Sequence, residues 1–203
     1  MYIGIPSLLV SQGTGVQPVE TLNDSYSETN ANSSVILMGQ SGGLTAWYAG
    51  GQAFSSIGGK LSQVKFYLHK TGTPTGNLFA KLYAMSGTFG STGIPTGPML
   101  AKSNAINVAT LTGSAQLIAF TFSGAQQYLM TNGTHYVIIC DASDDASNTV
   151  TSSGNTSVIW RNGPSSTHPG DEAWTSNGWP SGSPTWNTDG VGWDVIFYVY
   201  SLI

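Results

Sequence analysis

The chain has 203 residues, six lysines and arginines against ten aspartates and glutamates, and a formal net charge of −4. Only 8% of its residues are charged while 40% are hydrophobic, so it can fill one sizeable core but must build its surface from Ser, Thr, Asn, Gln and Gly. The basic residues Lys60, Lys65, Lys70, Lys81, Lys102 and Arg161 form no stripe, which argues against nucleic-acid binding, and one cysteine, Cys140, excludes an intrachain disulfide and a cysteine-cluster metal site.

The N-terminal stretch MYIGIPSLLVSQGTG has neither the basic start nor the long apolar run of a secretory signal. No stretch reaches the length of a membrane span, so no membrane partner is expected and synthesis in the cytoplasm is. Residues 1–32 are rich in small polar residues and short on regular pattern, and read as an extended arm preceding a domain over 33–203. Tyr2, Ile3, Ile5, Leu8, Leu9 and Val10 are the apolar residues by which such an arm would dock on an assembly partner.

From Ser33 onward, short β-prone runs alternate with turn residues. SSVILMG and LTAWYAGGQAF come first. In LSQVKFYLHK, Val64, Phe66 and Leu68 share one face and Lys65, Tyr67 and His69 the other. In NLFAKLYAM, Leu78, Ala80, Leu82 and Ala84 oppose Phe79, Lys81, Tyr83 and Met85. AINVATL, AQLIAFTF, THYVIIC, TSVIWRN and WDVIFYVYSLI complete about nine or ten strands. No window repeats apolar residues at helical spacing, and 26 glycines and 9 prolines punctuate the chain. The expected fold is all-β, an antiparallel β-sandwich of jelly-roll-like form with an extended N-terminal arm.

The pattern G-x-P-T-G occurs twice, at 72–76 and 93–97. The flanks do not match, so it is no structural repeat, and a phosphate loop would need a following helix and a lysine that are missing. The first copy, with Pro74 at the second turn position and Gly76 at the fourth, predicts a hairpin; the second falls in a longer loop.

GQSGG at 39–43 fits the nucleophile-elbow pattern, but the elbow requires a helix where LTAWYAGGQAF reads as strand. Its triad partner would have to be His69, His135 or His168, placed at a strand end, beside a turn and in a loop. A β-turn explains the motif better. Cys140 closes an apolar run and reads as a buried small hydrophobe. DASDDASN offers Asp141, Asp144, Asp145 and Asn148 as hard oxygen donors for calcium, though without EF-hand spacing; the alternative is a solvated loop, and no other cofactor is indicated. Asp171 and Glu172 in HPGDEAW are the other acidic pair.

Five of the six tryptophans fall in the last third, and Trp160 and Trp193 adjoin strands and read as core. Trp174, Trp179 and Trp186 lie in DEAWTSNGWPSGSPTWNTDG, which reads as loop. With Asp171 and Glu172 they are candidates for stacking on sugar rings or anchoring a protein interface, against the plainer role of capping one end of the sandwich.

The order of GQAFSSIGGKLSQVKFYLHKTGTPTGN, MTNGTHYVIIC and GWDVIFYVY resembles a sandwich module of tailed-phage virion proteins and bacterial surface proteins, and more loosely carbohydrate-binding jelly rolls. The resemblance covers about residues 50–201, leaves the arm unmatched and carries over no catalytic residue. It implies a non-enzymatic virion structural protein, a capsid decoration or cement protein or a tail accessory subunit, located on the virion. Its partners would be a major capsid or tail protein and further copies of itself. The alternative it implies is a cell-surface carbohydrate-binding or adhesin module that uses the loop tryptophans on a host-surface glycan.

Overall fold

The computed structural model describes residues 17–37, 47–145, 149–151, 154–161, 167–177, 184–188 and 192–203, with residues 154–161 described by their backbone. Fourteen strands and three short 3-10 turns make up the regular structure of these residues. The strands are β1 (Glu20–Tyr26), β2 (Ser33–Leu37), β3 (Ala49–Ser55), β4 (Gly59–Gly72), β5 (Asn77–Ser86), β6 (Ile94–Lys102) and β7 (Ile106–Asn107). They continue as β8 (Gln116–Thr121), β9 (Leu129–Met130), β10 (His135–Asp141), β11 (Gly154–Arg161), β12 (Glu172–Thr175), β13 (Asp194–Val195) and β14 (Phe197–Leu202). No helix among the described residues is long and apolar enough to cross a membrane.

The strands form two antiparallel sheets packed against each other as a β-sandwich. The larger runs β1-β14-β4-β11-β13, with β2 on β11 and with β8 and β9 on the far side of β4. The smaller runs β12-β3-β10-β5-β6, with β7 on β5. β4 is the axis of the larger sheet because its 14 residues bond to β14, β11, β8 and β9.

The period-two patterns decide which faces meet. Val64, Phe66 and Leu68 of β4 face Leu78, Ala80 and Leu82 of β5 in one core that Phe54, Phe120, Ile138, Phe197 and Val199 complete. Tyr67 and Lys65 point outward. Phe79 and Lys81, on the other face of β5, are also buried, because loops cover the outer face of the smaller sheet. There a second cluster gathers Ala49, Ala53, Val137, Ile139 and Ala173 beneath Tyr83, Met85, Phe89 and Trp186.

Four features differ from the sequence expectation. The boundary at residue 32 divides the sandwich: β1 pairs along β14 from Glu20↔Leu202 to Tyr26↔Phe197. β1 lacks an apolar face because Asn23, its central inward residue, hydrogen-bonds Gly58 O and Ser201 Oγ at 3.0 Å each. The arm residues Tyr2, Ile3, Ile5, Leu8, Leu9 and Val10 lie outside the described residues.

The turn over 73–76 closes no hairpin but carries the chain from one sheet to the other, since β4 and β5 belong to different sheets. Gly76 is required there: its φ is +106°, and a Cβ would lie 2.3 Å from Thr149 O. The second copy of the motif is strand, at the start of β6, where Gly97 at φ +68° sits in a bulge between Leu82↔Ala101 and Ala84↔Thr96. Finally, Glu172–Thr175, expected as loop, is β12 at the edge of the smaller sheet.

Candidate functional site

Two polar clusters and one aromatic cleft hold the chemically distinctive side chains. The first cluster lies at the end of the sandwich where β13 meets β3. Gln52 is fully buried between them, its Nε2 donating to Asp194 Oδ1 at 2.7 Å and its Oε1 accepting from Val195 N at 2.9 Å. Gln52 Nε2 also approaches His168 Nδ1 at 3.2 Å. His168 Nδ1 accepts from Gly170 N at 3.1 Å, and its Nε2 faces Asp24 Oδ1 of β1 at 3.3 Å. The imidazole edge rests on Phe197 with ring centroids 5.2 Å apart.

Asp194 Oδ2 is buried without a hydrogen-bond partner among the described residues. Burial pushes this carboxyl up to about 6, against the opposing hydrogen bonds from Gln52 and the His168 backbone. A histidine, a glutamine and two aspartates within hydrogen-bond reach could in principle move protons. Here Gln52, His168 and Asp194 are buried, Asp24 is partly exposed, and each is spent on a different strand or loop. The cluster latches β1, β3, β13 and the 167–171 segment together.

Asp171 is equally buried, with a different duty. Its Oδ2 accepts from Gly93 N at 3.1 Å, and backbone N–H groups of Gly90 and Ser91 also reach it. Burial raises its pKa while those N–H groups oppose the rise. Asp171 thus fastens the 87–93 loop, whose Phe89 stacks on His135 at 4.0 Å and roofs the second apolar cluster. Glu172 is fully buried one residue on, paired in register with Gln52 on the inner face. The two adjacent acids therefore point to opposite sides of β12 and flank no common substrate position.

The second polar cluster holds Asp141 and Asp144, two of the acids considered for calcium. Lys81 Nζ sits 2.6 Å from Asp141 Oδ2 and 2.7 Å from Asp144 Oδ1, and Lys102 Nζ pairs with Asp144 Oδ2. Burial disfavours the Lys81 charge, but the two carboxylates outweigh it and raise its pKa above the ordinary lysine value. Asp141 Oδ1 accepts from Ser143 N at 2.7 Å and from Ser143 Oγ at 3.0 Å. The cations that Asp141 and Asp144 face are two ammonium groups, and the acids of DASDDASN close an ion-pair network over β5, β6 and β10. Asp145 is half-buried, and its carbonyl accepts from Thr149 Oγ1 at 2.7 Å. No cluster of three metal-ligating side chains occurs among the described residues.

Of the three loop tryptophans, Trp174 belongs to β12 and stacks on Trp47, with centroids 4.8 Å apart and planes 9° from parallel. Trp186 leans on Tyr83 at 6.2 Å and 58°. Trp179 lies outside the described residues, as do 39–43 of the elbow pattern and Asn148. Trp186 and Tyr83, with Pro95, Thr96, Gly97, Met99 and Pro184, line a cleft of about 450 Å³. Gly97 and the exposed Met99, both of β6, belong to its lining. Sequence reasoning missed this cleft because Tyr83 and Trp186 lie far apart in the chain and meet only by packing in the folded sandwich.

Cys140 is fully buried, and desolvation pushes its thiol well above the ordinary range, so it serves as a core residue. No protein-family model, no curated protein and no solved structure matches the chain.

Proposed function

We propose that the chain is a non-enzymatic structural protein of a virion, a phage capsid decoration or cement protein or a tail accessory subunit. It would dock on a major capsid or tail protein through its N-terminal segment and the adjoining edge of the sandwich, and stand on the particle in many copies. The carrying observation is the use made of ionisable groups. His168, Asp24, Asp194 and Asp171 act as internal latches, and Asp141, Asp144, Lys81 and Lys102 as an ion-pair network. A rigid scaffold with a charge-poor surface suits a part packed into a lattice, and the resemblance to virion sandwich modules points the same way.

The test is electron microscopy of particles from the source culture, labelled with antibody to the chain. Regularly spaced label on particles supports the reading. Chain found only free in the fluid, with particles unlabelled, ends it.

A second reading is favoured by the cleft at Trp186 and Tyr83, which among the described residues presents two aromatic walls and no carboxylate, lysine or arginine. Such a cleft suits a neutral saccharide ring in a carbohydrate-binding or adhesin module. A glycan array probed with the chain and with Trp186→Ala checks it: binding by neither removes the reading.

A further inference from the structure

Lys81, Asp141 and Asp144 are arranged more closely than an ion pair requires. Lys81 lies on the outer face of β5, with Ile139 opposite it across the ladder and Asp141 opposite Phe79. Lys81 and Asp141 are therefore diagonal neighbours on one face, within reach of each other's side chains. The turn that follows, held by Ser143 N on Asp141 Oδ1, returns Asp144 to the same ammonium. All three side chains are nearly closed to solvent, at 9%, 13% and 8% exposure.

Each group stands in a different place relative to one carbon atom. Lys81 Nζ is 2.6 Å from Asp141 Oδ2, which puts it within about 3.9 Å of Cγ, one C–O bond further on. Asp141 Oδ1, the other oxygen on that carbon, accepts from Ser143 N at 2.7 Å and from Ser143 Oγ at 3.0 Å. Those are two donors where negative charge collects when Cγ is attacked. Asp144 Oδ1 is 2.7 Å from the same Nζ, and its Oδ2 is braced by Lys102. A nitrogen nucleophile, a carboxyl carbon with a two-donor oxyanion site and a second carboxylate to carry protons are the parts of an acyl transfer.

We propose that Lys81 Nζ and Asp141 Cγ join in an amide bond within the folded chain, with Asp144 as the proton carrier. The geometry described above is that of the pair before reaction. Burial disfavours the Lys81 charge and the two carboxylates restore it, so the reaction begins with the ammonium giving one proton to Asp141 Oδ2. The neutral amine attacks Cγ, and charge collects on Oδ1 against Ser143. Asp144 Oδ1 then takes a second proton from Nζ and passes it to Asp141 Oδ2. The Cγ–Oδ2 bond breaks and water leaves. Of the three ammonium protons, one stays in the amide and two depart in the water, so no oxidant or activated partner is needed. Fixed contact supplies the effective concentration that a free amine and acid in water lack. The product ties β5 covalently to β10, its neighbour in the smaller sheet. This bond is independent of both the virion and the saccharide readings.

The test is the intact mass of the full chain, purified without denaturant and incubated folded, followed by unfolding and digestion with trypsin. The expected mass is lower than that of the sequence by one water in most chains. Trypsin does not cut at an acylated Lys81, so residues 71–102 should stay joined to residues 103–161, with fragmentation placing the link at Asp141. In Asp144→Asn the bond should form about a hundredfold more slowly. The parent chain decides the matter by itself, so a variant that fails to fold does not obscure the result. The full sequence mass after prolonged incubation overturns the proposal. So does the loss of one water with residues 71–81 released free, as an aspartate closing on its own backbone would give. A link from Lys81 to Asp144, or an unchanged rate in Asp144→Asn, overturns the roles assigned to the two acids.

Discussion

His168 Nε2 faces Asp24 Oδ1 at 3.3 Å, joining two residues 144 positions apart. Because His168 Nδ1 is already an acceptor for Gly170 N, the Nε2 atom carries the proton and donates to Asp24. The imidazole is thereby held as one tautomer, and its edge closes the core over Phe197. His168→Ala should loosen β1 and the 167–171 segment together. A urea melt should show a loss of about 2–4 kcal/mol, and a loss below about 0.5 kcal/mol would show that the latch carries no load.

Asp194, in the same cluster, makes stability depend on pH. Its carboxyl titrates near 6 in the folded chain against 3.8 when exposed. The folded state therefore holds this proton more tightly than the unfolded state. Its contribution is fully present below about pH 4 and is lost as pH rises through about 6. The ceiling of the loss is on the order of 3 kcal/mol. Asp194→Asn removes the titration, so the stability difference between pH 4 and pH 7.5 should shift by about 2–3 kcal/mol relative to the parent. Parallel pH profiles for the two proteins would show that the buried carboxyl ionises freely.

Lys81 lies between Asp141 and Asp144 at 2.6 and 2.7 Å, with side-chain exposure of 9%. Lys81→Met leaves two buried carboxylates facing each other and should cost about 3–5 kcal/mol in a urea melt. Adding Asp141→Asn and Asp144→Asn to that variant should restore part of the loss. Lys102, at 30% exposure and in contact with Asp144 alone of the two acids, should cost about 1 kcal/mol or less when replaced by Met.

The two glycines of the repeated motif should respond differently to alanine. At Gly76 a Cβ meets Thr149 O at 2.3 Å on top of a φ of +106°, so Gly76→Ala should cost about 3 kcal/mol or more. At Gly97 nothing lies within 4 Å of the Cβ position, so Gly97→Ala should cost about 1–2 kcal/mol from the left-handed backbone alone. Thermal unfolding of both variants checks the order, and equal losses would show that the 73–76 crossing adapts to a side chain.

Asp171 offers a local test. In Asp171→Ala the N–H groups of Gly90, Ser91 and Gly93 lose their acceptor. Hydrogen exchange at those amides should accelerate at least tenfold, while β4 and β10 exchange as in the parent. Acceleration throughout both sheets would mean that Asp171 supports the whole sandwich.

Much of the core was legible because alternation is a local signal. Val64, Phe66 and Leu68, and Leu78, Ala80 and Leu82, face inward as their spacing requires. What eluded the sequence depends on distant partners. ETLNDSY has too few apolar residues to announce a strand, and it becomes β1 only because β14 supplies its ladder and Gly58 and Ser201 satisfy Asn23. Asp171 resembles a solvated loop acid until the backbone N–H of Gly93, 78 residues earlier, is brought to it. The turn residues of 73–76 fix a change of direction but not the strand that follows as partner. Here that partner is in the other sheet.

The place of β14 has a consequence for how the molecule is made. It lies between β1 and β4, bonded to both, yet it is the last strand of the sandwich to be synthesised. Until Phe197–Leu202 leaves the ribosome, β1 has no neighbour in the ladder and one side of β4 stands open over residues 60–66. Completion of the larger sheet therefore waits for β14 and closes a long loop back to β1, and such closures are slow. During that interval the nascent sandwich exposes the flank of its longest strand, and this is when it most needs protection from pairing with another copy of itself.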